Sequence, residues 1–146
     1  MDARQRRQRI LELEDPPRLW TIIDEAALAR PANAADPDVM RGQIRHLVAM
    51  TKRPNITMQV LPFTTGLHAG TGGPFVLPDF PNPVDRPLVY LETRHDELYL
   101  EDPEQIADYR DVLDHLQGTA PSPAESVQHL TRLSQLDPAL KDRAWR

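Results

Sequence analysis

The chain has 146 residues, 40% apolar and 27% charged, with a formal net charge of −5, which is enough for a compact domain with a core of its own. It contains no cysteine, so disulfides, thiolate zinc sites and cysteine nucleophiles are excluded together, and a reducing, cytoplasmic setting is the expectation. No stretch approaches the ~20 apolar residues of a membrane helix, and the opening MDARQRRQRI lacks the apolar segment of a secretory signal.

Charge is uneven along the chain. Residues 1–10 carry four arginines (Arg4, Arg6, Arg7, Arg9) and one aspartate, net +3, against −8 for the remainder. An acidic body repels nucleic-acid phosphates, so no direct nucleic-acid binding and no membrane contact are expected of it. The arginine cluster reads first as a solvated helix face, with contact to a phosphate or an acidic partner as the alternative. Residues 4–14 are predicted helical, with Ile10, Leu11 and Leu13 on the apolar side and Asp15-Pro16-Pro17 as the stop. RLWTIID (18–24) is a strand with apolar residues on both faces, which predicts a central strand covered on both sides. EAALARPA leaves that strand, and Pro31 ends any helical turn.

Asp36 and Pro37 open the next helix as N-cap and first-turn proline. Met40, Ile44, Leu47, Val48 and Thr51 form its apolar stripe, and Pro54-Asn55 ends it. ITMQVLPF (56–63) is the second strand. Strand, helix and strand joined by short links predict a βαβ unit with a parallel pair. PFVLPDF (74–80) reads as a further strand. LVYLE (88–92) and ELYLE (97–101) form a hairpin around TRHD, with His95-Asp96 at its tip. Asp102 and Ser122 each begin a capping-box-like start to a closing helix. Ile106, Tyr109, Val112, Leu113 and Leu116 mark the first of these helices, with Gly118 as its stop; Val127, Leu130, Leu133 and Leu136 mark the second. The expected fold is α+β: a single domain with a mixed sheet of four to five strands, one βαβ unit and a hairpin, flanked by about four helices. Its boundaries are 1–17 for a basic N-terminal helix or linker, 18–138 for the domain and 139–146 for a tail.

TGLHAGTGGPF (65–75) holds four of the six glycines. A P-loop needs a lysine and a hydroxyl after its glycines, and residues 65–75 contain no lysine. A dinucleotide fingerprint needs a third glycine where Phe75 stands, and a helix where strand follows. Phosphate cradling is excluded, and a hairpin turn, a lid over a pocket and a partner-contact loop stay open. His68 lies at its most exposed bend. The histidines (His46, His68, His95, His115, His129) show no helical zinc spacing. Asp24-Glu25 ends the first strand, where ligands gather in α/β arrangements. Adjacent strand residues point to opposite faces, so these two are not a glycosidase-type pair, and Asp24 reads as a cap for the next turn. Asp108, Asp111 and Asp114 fall on a solvent face, and no serine sits in a nucleophile elbow. No metal or cofactor site is expected.

DPPRLWTIIDEAAL, MRGQIRHLVAMTKRPNITMQVLPF, TGLHAGTGGPFVL and LVYLE with LYLEDPE occur in this order. Together they resemble a domain of unknown function that follows an Xre-type helix-turn-helix in actinobacterial transcriptional regulators. The resemblance covers roughly residues 5–135. It implies a domain that receives a signal, from a small-molecule effector or a small partner protein. By resemblance, the binding residues are Trp20, Asp24, Glu25, Gly66, His68, Gly70, Phe75, Tyr90, Glu92 and Tyr99, with Pro62 and Pro74. No catalytic residue follows from it. A helix-turn-helix needs about 50–60 residues, and about 17 precede the first strand, so the chain is read as the domain without its DNA reader. The expected cleft has walls of Trp20, Phe75, Tyr90 and Tyr99, with Asp24, His68 and Glu92 as polar contacts. Two other readings stay open: a cofactor-free enzyme using His68 or Asp24/Glu25 as acid or base, and a homodimerisation module.

Overall fold

The structure is a computed structural model that describes residues 8–29, 37–82 and 84–135. The chain falls into two compact units, one made of the residues up to Thr64 and from Ala120 onward, the other of Thr65–Thr119. The fold is α+β, with four α-helices and two two-stranded sheets among the described residues.

The first unit holds β1 (Leu19–Asp24), α1 (Glu25–Ala29), α2 (Pro37–Met50), β2 (Ile56–Leu61) and α4 (Pro123–Gln135). β1 and β2 pair in parallel, Leu19 opposite Ile56 through Asp24 opposite Leu61, with α2 in the connection. This is the predicted βαβ unit. Period-two alternation puts Met58 and Val60 on one face of β2, in register with Thr21 and Ile23 of β1. On that face Leu28, Ile44, Leu130 and Leu133 close a core with them, and Met40, Leu47 and Val48 of the α2 stripe pack at its margin. Ser126 is buried, and its hydroxyl accepts from the Val60 N–H (3.0 Å) and donates to the Pro121 carbonyl (3.3 Å). The outer backbone edge of β2 is thereby occupied by α4. The α4 start is the predicted capping box: Glu125 Oε2 accepts from the Ser122 N–H (2.9 Å) and hydroxyl (2.6 Å), and the Ser122 hydroxyl accepts from the Glu125 N–H.

The second unit holds β3 (Val89–Glu92), β4 (Glu97–Leu100) and α3 (Pro103–Thr119). β3 and β4 form the predicted antiparallel hairpin, closed by bonds between Thr93 and Asp96. Asp102 Oδ1 caps α3 through the Glu104 and Gln105 amides. The helix runs past Gly118 to Thr119. Asp108, Asp111 and Asp114 are exposed on it, as expected.

Several expectations are corrected. There is no single mixed sheet of four to five strands; β1–β2 and β3–β4 are separate sheets among the described residues. The stretch 74–80 is not a strand: Val76 alone bridges Tyr90, exchanging both backbone bonds at 2.9 Å. The next bonded positions on either side are Pro74 and Pro78, which have no N–H, so the ladder stops after one bridge. β1 is not a central strand; β2 is its one strand neighbour among the described residues, and Leu19 and Trp20 are exposed. In the described part of the predicted helix 4–14, Gln8 is α-helical, Arg9–Glu12 tightens to a 3-10 turn, and Leu13 is already extended, ahead of the proline stop. The second strand ends at Leu61, and Phe63–Thr65 forms a 3-10 turn. Arg4, Arg6, Arg7, Pro31, Asp36, Leu136 and the tail 139–146 lie outside the described residues.

Candidate functional site

The first unit carries an open cleft of about 580 Å³, within the range of small-molecule sites. Its apolar wall is Val60, Pro62, Phe63 and Pro121, and its polar side is Glu25, His129 and Arg132. The turn out of β1 sets the geometry. Asp24, the last residue of the strand, accepts the Ala26 N–H at 2.8 Å, which is the predicted cap. The reversal into α1 carries the next residue, Glu25, inward. Asp24 is exposed and Glu25 is 5% exposed, so the two carboxylates diverge as expected.

Glu25 Oε2 accepts the backbone N–H of Phe63 at 3.0 Å and lies 3.3 Å from His129 Nε2. The carboxylate thus ties the start of α1 to the turn that follows β2, and both to α4. Nε2 is buried and makes no aligned hydrogen bond. The 3.3 Å contact is therefore one of distance and charge, attractive when the imidazole is protonated. The His129 side chain is 26% exposed, through atoms other than Nε2. Arg132 is exposed one turn further along α4. A buried carboxylate beside an imidazole can accept from a ligand donor, orient the imidazole, or move a proton.

The other expected site residues are held as follows. Trp20 donates its indole N–H to Gln59 Oε1 at 2.8 Å, and the Gln59 amide donates to the Ala120 and Pro121 carbonyls. In the second unit, His68 is half-buried and caps the 3-10 turn Ala69–Gly72, its Nδ1 accepting from the Gly70 N–H at 3.2 Å. Leu67 beside it is 95% exposed, so the bend is exposed at Leu67 more than at His68. Gly66 has φ +72, the positive dihedral expected of the stretch. A Cβ on Gly70 would come within 3.3 Å of Leu116 on α3, so the glycine turn lies against that helix. Phase and register explain the aromatics: Phe75 contacts Tyr109 with ring centroids 5.0 Å apart, and Tyr90 and Tyr99, directly paired across the hairpin, are 5.3 Å apart. Glu92 is exposed opposite Glu97. Desolvation pushes the Tyr90 phenol up, and the Glu97 and Glu92 carboxylates add to this.

Of the ten expected binding residues, Glu25 lines the cleft described here, together with Pro62. Trp20, Asp24 and Glu25 belong to the first unit and the other seven to the second. Sequence reasoning passed over His129, Arg132 and Phe63. The available signal was in α4, where Ser126 and His129 place polar groups beside the buried Leu130 and Leu133. No helix among the described residues is long and apolar enough to cross a membrane.

No curated protein and no solved structure shows significant similarity to the chain. Residues 1–132 match the model of a family described as a domain of unknown function, DUF5753. Since that match spans most of the sequence, the chain belongs to the DUF5753 family.

Proposed function

We propose that this chain is an effector-sensing or partner-binding domain of an Xre-type transcriptional regulator, with the Glu25–His129 cleft as the receptor for a small polar molecule. The regulator part of this reading rests on the resemblance of the four segments. The binding part rests on one observation: a buried carboxylate, Glu25, faces an imidazole in an open cleft with an apolar wall. Such a cleft takes a ligand whose apolar body lies on Pro62, Phe63 and Pro121 while a donor reaches Glu25 or an acidic group reaches Arg132. DNA contact is left to a separate helix-turn-helix. Isothermal titration of the folded chain against a panel of small polar metabolites tests this, with Arg132→Ala as the comparison. Binding that Arg132→Ala weakens supports the reading; a folded chain that binds no member of the panel overturns it.

The same pair favours a second reading, a cofactor-free enzyme in which Glu25 orients His129 as acid or base. Deletion of the gene with an unchanged small-molecule product profile would remove that reading.

A further inference from the structure

Among the described residues, the outer edge of β1 at Trp20 and Ile22 meets no other strand, and its sequence pattern is self-complementary. The Leu19 N–H donates to the Asn55 carbonyl at 2.8 Å, and Leu19 is in register with Ile56. In a parallel ladder the residue that bonds its neighbour strand does so with both its N–H and its C=O, and alternate residues bond the same side. Leu19, Thr21 and Ile23 therefore face β2, and the backbone groups of Trp20 and Ile22 face outward. The Val60 N–H, outward on β2 by the same rule, is indeed taken by Ser126. No corresponding bond joins the outward groups of Trp20 or Ile22 to any described residue. The Trp20 side chain does not screen them, because its indole is drawn across the sheet toward β2 by Gln59. Leu19 is 38% and Trp20 53% exposed. Among the described residues nothing pairs with this edge, and an unpaired strand edge is a template for pairing with another chain.

We propose that β1 pairs antiparallel with β1 of a second copy, about a two-fold axis through Thr21, giving a four-stranded sheet in the order β2-β1-β1-β2. A two-fold relation makes the pairing of a strand with itself antiparallel. The outward residues then meet as hydrogen-bonded pairs, Trp20 opposite Ile22 and Ile22 opposite Trp20. This is an aromatic and β-branched combination of the kind that stabilises cross-strand contacts. Leu19 falls opposite Ile23 on the other face. Arg18 falls opposite Asp24 at both ends, so the charges are complementary. An axis on Trp20 or on Ile22 would preserve the bonding but set Arg18 against Ile22 or Asp24 against Trp20. The Thr21 axis is the register that matches charge with charge and apolar with apolar.

The absence of cysteine makes the test direct. At the axis the two Thr21 residues form a non-hydrogen-bonded pair with Cα atoms about 4.5 Å apart, within disulfide reach. Thr21→Cys in the full chain should cross-link to a dimer under mild oxidation in native buffer and not in denaturant. Sedimentation equilibrium of the unmodified chain should show dimers. Arg18→Asp, an exposed substitution that leaves the core untouched, should raise the dimer dissociation constant about tenfold or more, by placing like charges opposite each other twice. Circular dichroism confirms that each variant is folded. A strict monomer at high concentration overturns the proposal, as does a dimer in which Thr21→Cys stays uncross-linked. A monomer whose Trp20 and Ile22 amides become protected from exchange only on adding another protein's extended segment also overturns it, since the edge would then serve a different partner.

Discussion

Glu25 Oε2 lies 3.3 Å from His129 Nε2 across the floor of the cleft, joining the end of β1 to the middle of α4. The same oxygen holds the Phe63 N–H at 3.0 Å. Truncation at Glu25 therefore removes the carboxylate acceptor of the Phe63 amide and the charge beside a buried imidazole nitrogen. Glu25→Ala should cost ~2 kcal/mol or more, and Glu25→Gln, which keeps an acceptor, ~1 kcal/mol. Urea melts followed by tryptophan emission measure both. Because the two side chains touch, the Glu25→Ala/His129→Ala double variant should lose less stability than the sum of its parts.

A second polar link, on the opposite face of β2 from the core, fixes the β1 edge. Gln59 is 3% exposed and bridges the Trp20 indole to the Ala120 and Pro121 carbonyls. Gln59→Leu keeps the volume but removes these bonds. It should cost ~1–2 kcal/mol and shift the Trp20 emission as the indole loses its acceptor. A cycle with Trp20→Phe should return a coupling of about 1 kcal/mol, in line with a direct contact.

Much of the local structure was legible in the sequence because local signals carried it. The parallel pair followed from two apolar runs around one amphipathic helix, the hairpin from two short alternating runs, and the α4 start from Ser122 and Glu125. The missing third strand needed information on register. Pro74 and Pro78 are visible in the sequence, but they break the ladder only because Val76 is the residue that bonds Tyr90. The edge position of β1 was not legible either. Apolar residues at Leu19, Trp20, Ile22 and Ile23 look the same whether a second strand or nothing lies beside them. At the site, Glu25 was found by its place at the end of a strand. His129 was not, because its partner is distant in sequence and no spacing rule links them.

The capping box at α4 gives a pH dependence. Hydrogen bonds from the Ser122 hydroxyl and amide hold the Glu125 carboxyl below its ordinary value. A depressed carboxyl in the folded state means that its contribution is present above the ordinary glutamate range and is lost as pH falls through the lowered value. Ser122→Ala should cost about 1 kcal/mol at neutral pH and flatten this acid limb. Urea midpoints measured across the acid range, for the original chain and for Ser122→Ala, should converge as the pH drops. Curves that stay parallel would contradict the role of Glu125.

The glycine stretch predicts a graded series, because its members are glycine for different reasons. Gly72 has open space where a Cβ would be, with no positive φ, so Gly72→Ala should be within about 0.5 kcal/mol of neutral or mildly stabilising through the unfolded chain. At Gly70 a Cβ would lie 3.2 Å from His68 Nδ1 and 3.3 Å from Leu116 Cδ1. His68 is held by its bond to the Gly70 amide, and Leu116 is buried, so neither moves freely. Gly70→Ala should cost ~1 kcal/mol or more through overpacking. Gly73 has φ +122, a region that side chains resist whatever the space, and Gly73→Ala should cost ~1–3 kcal/mol. Thermal or urea unfolding of the three variants should rank them Gly72, Gly70, Gly73 in increasing damage. If all three prove neutral, the turn does not hold its place on α3, and the stretch behaves as a loose loop.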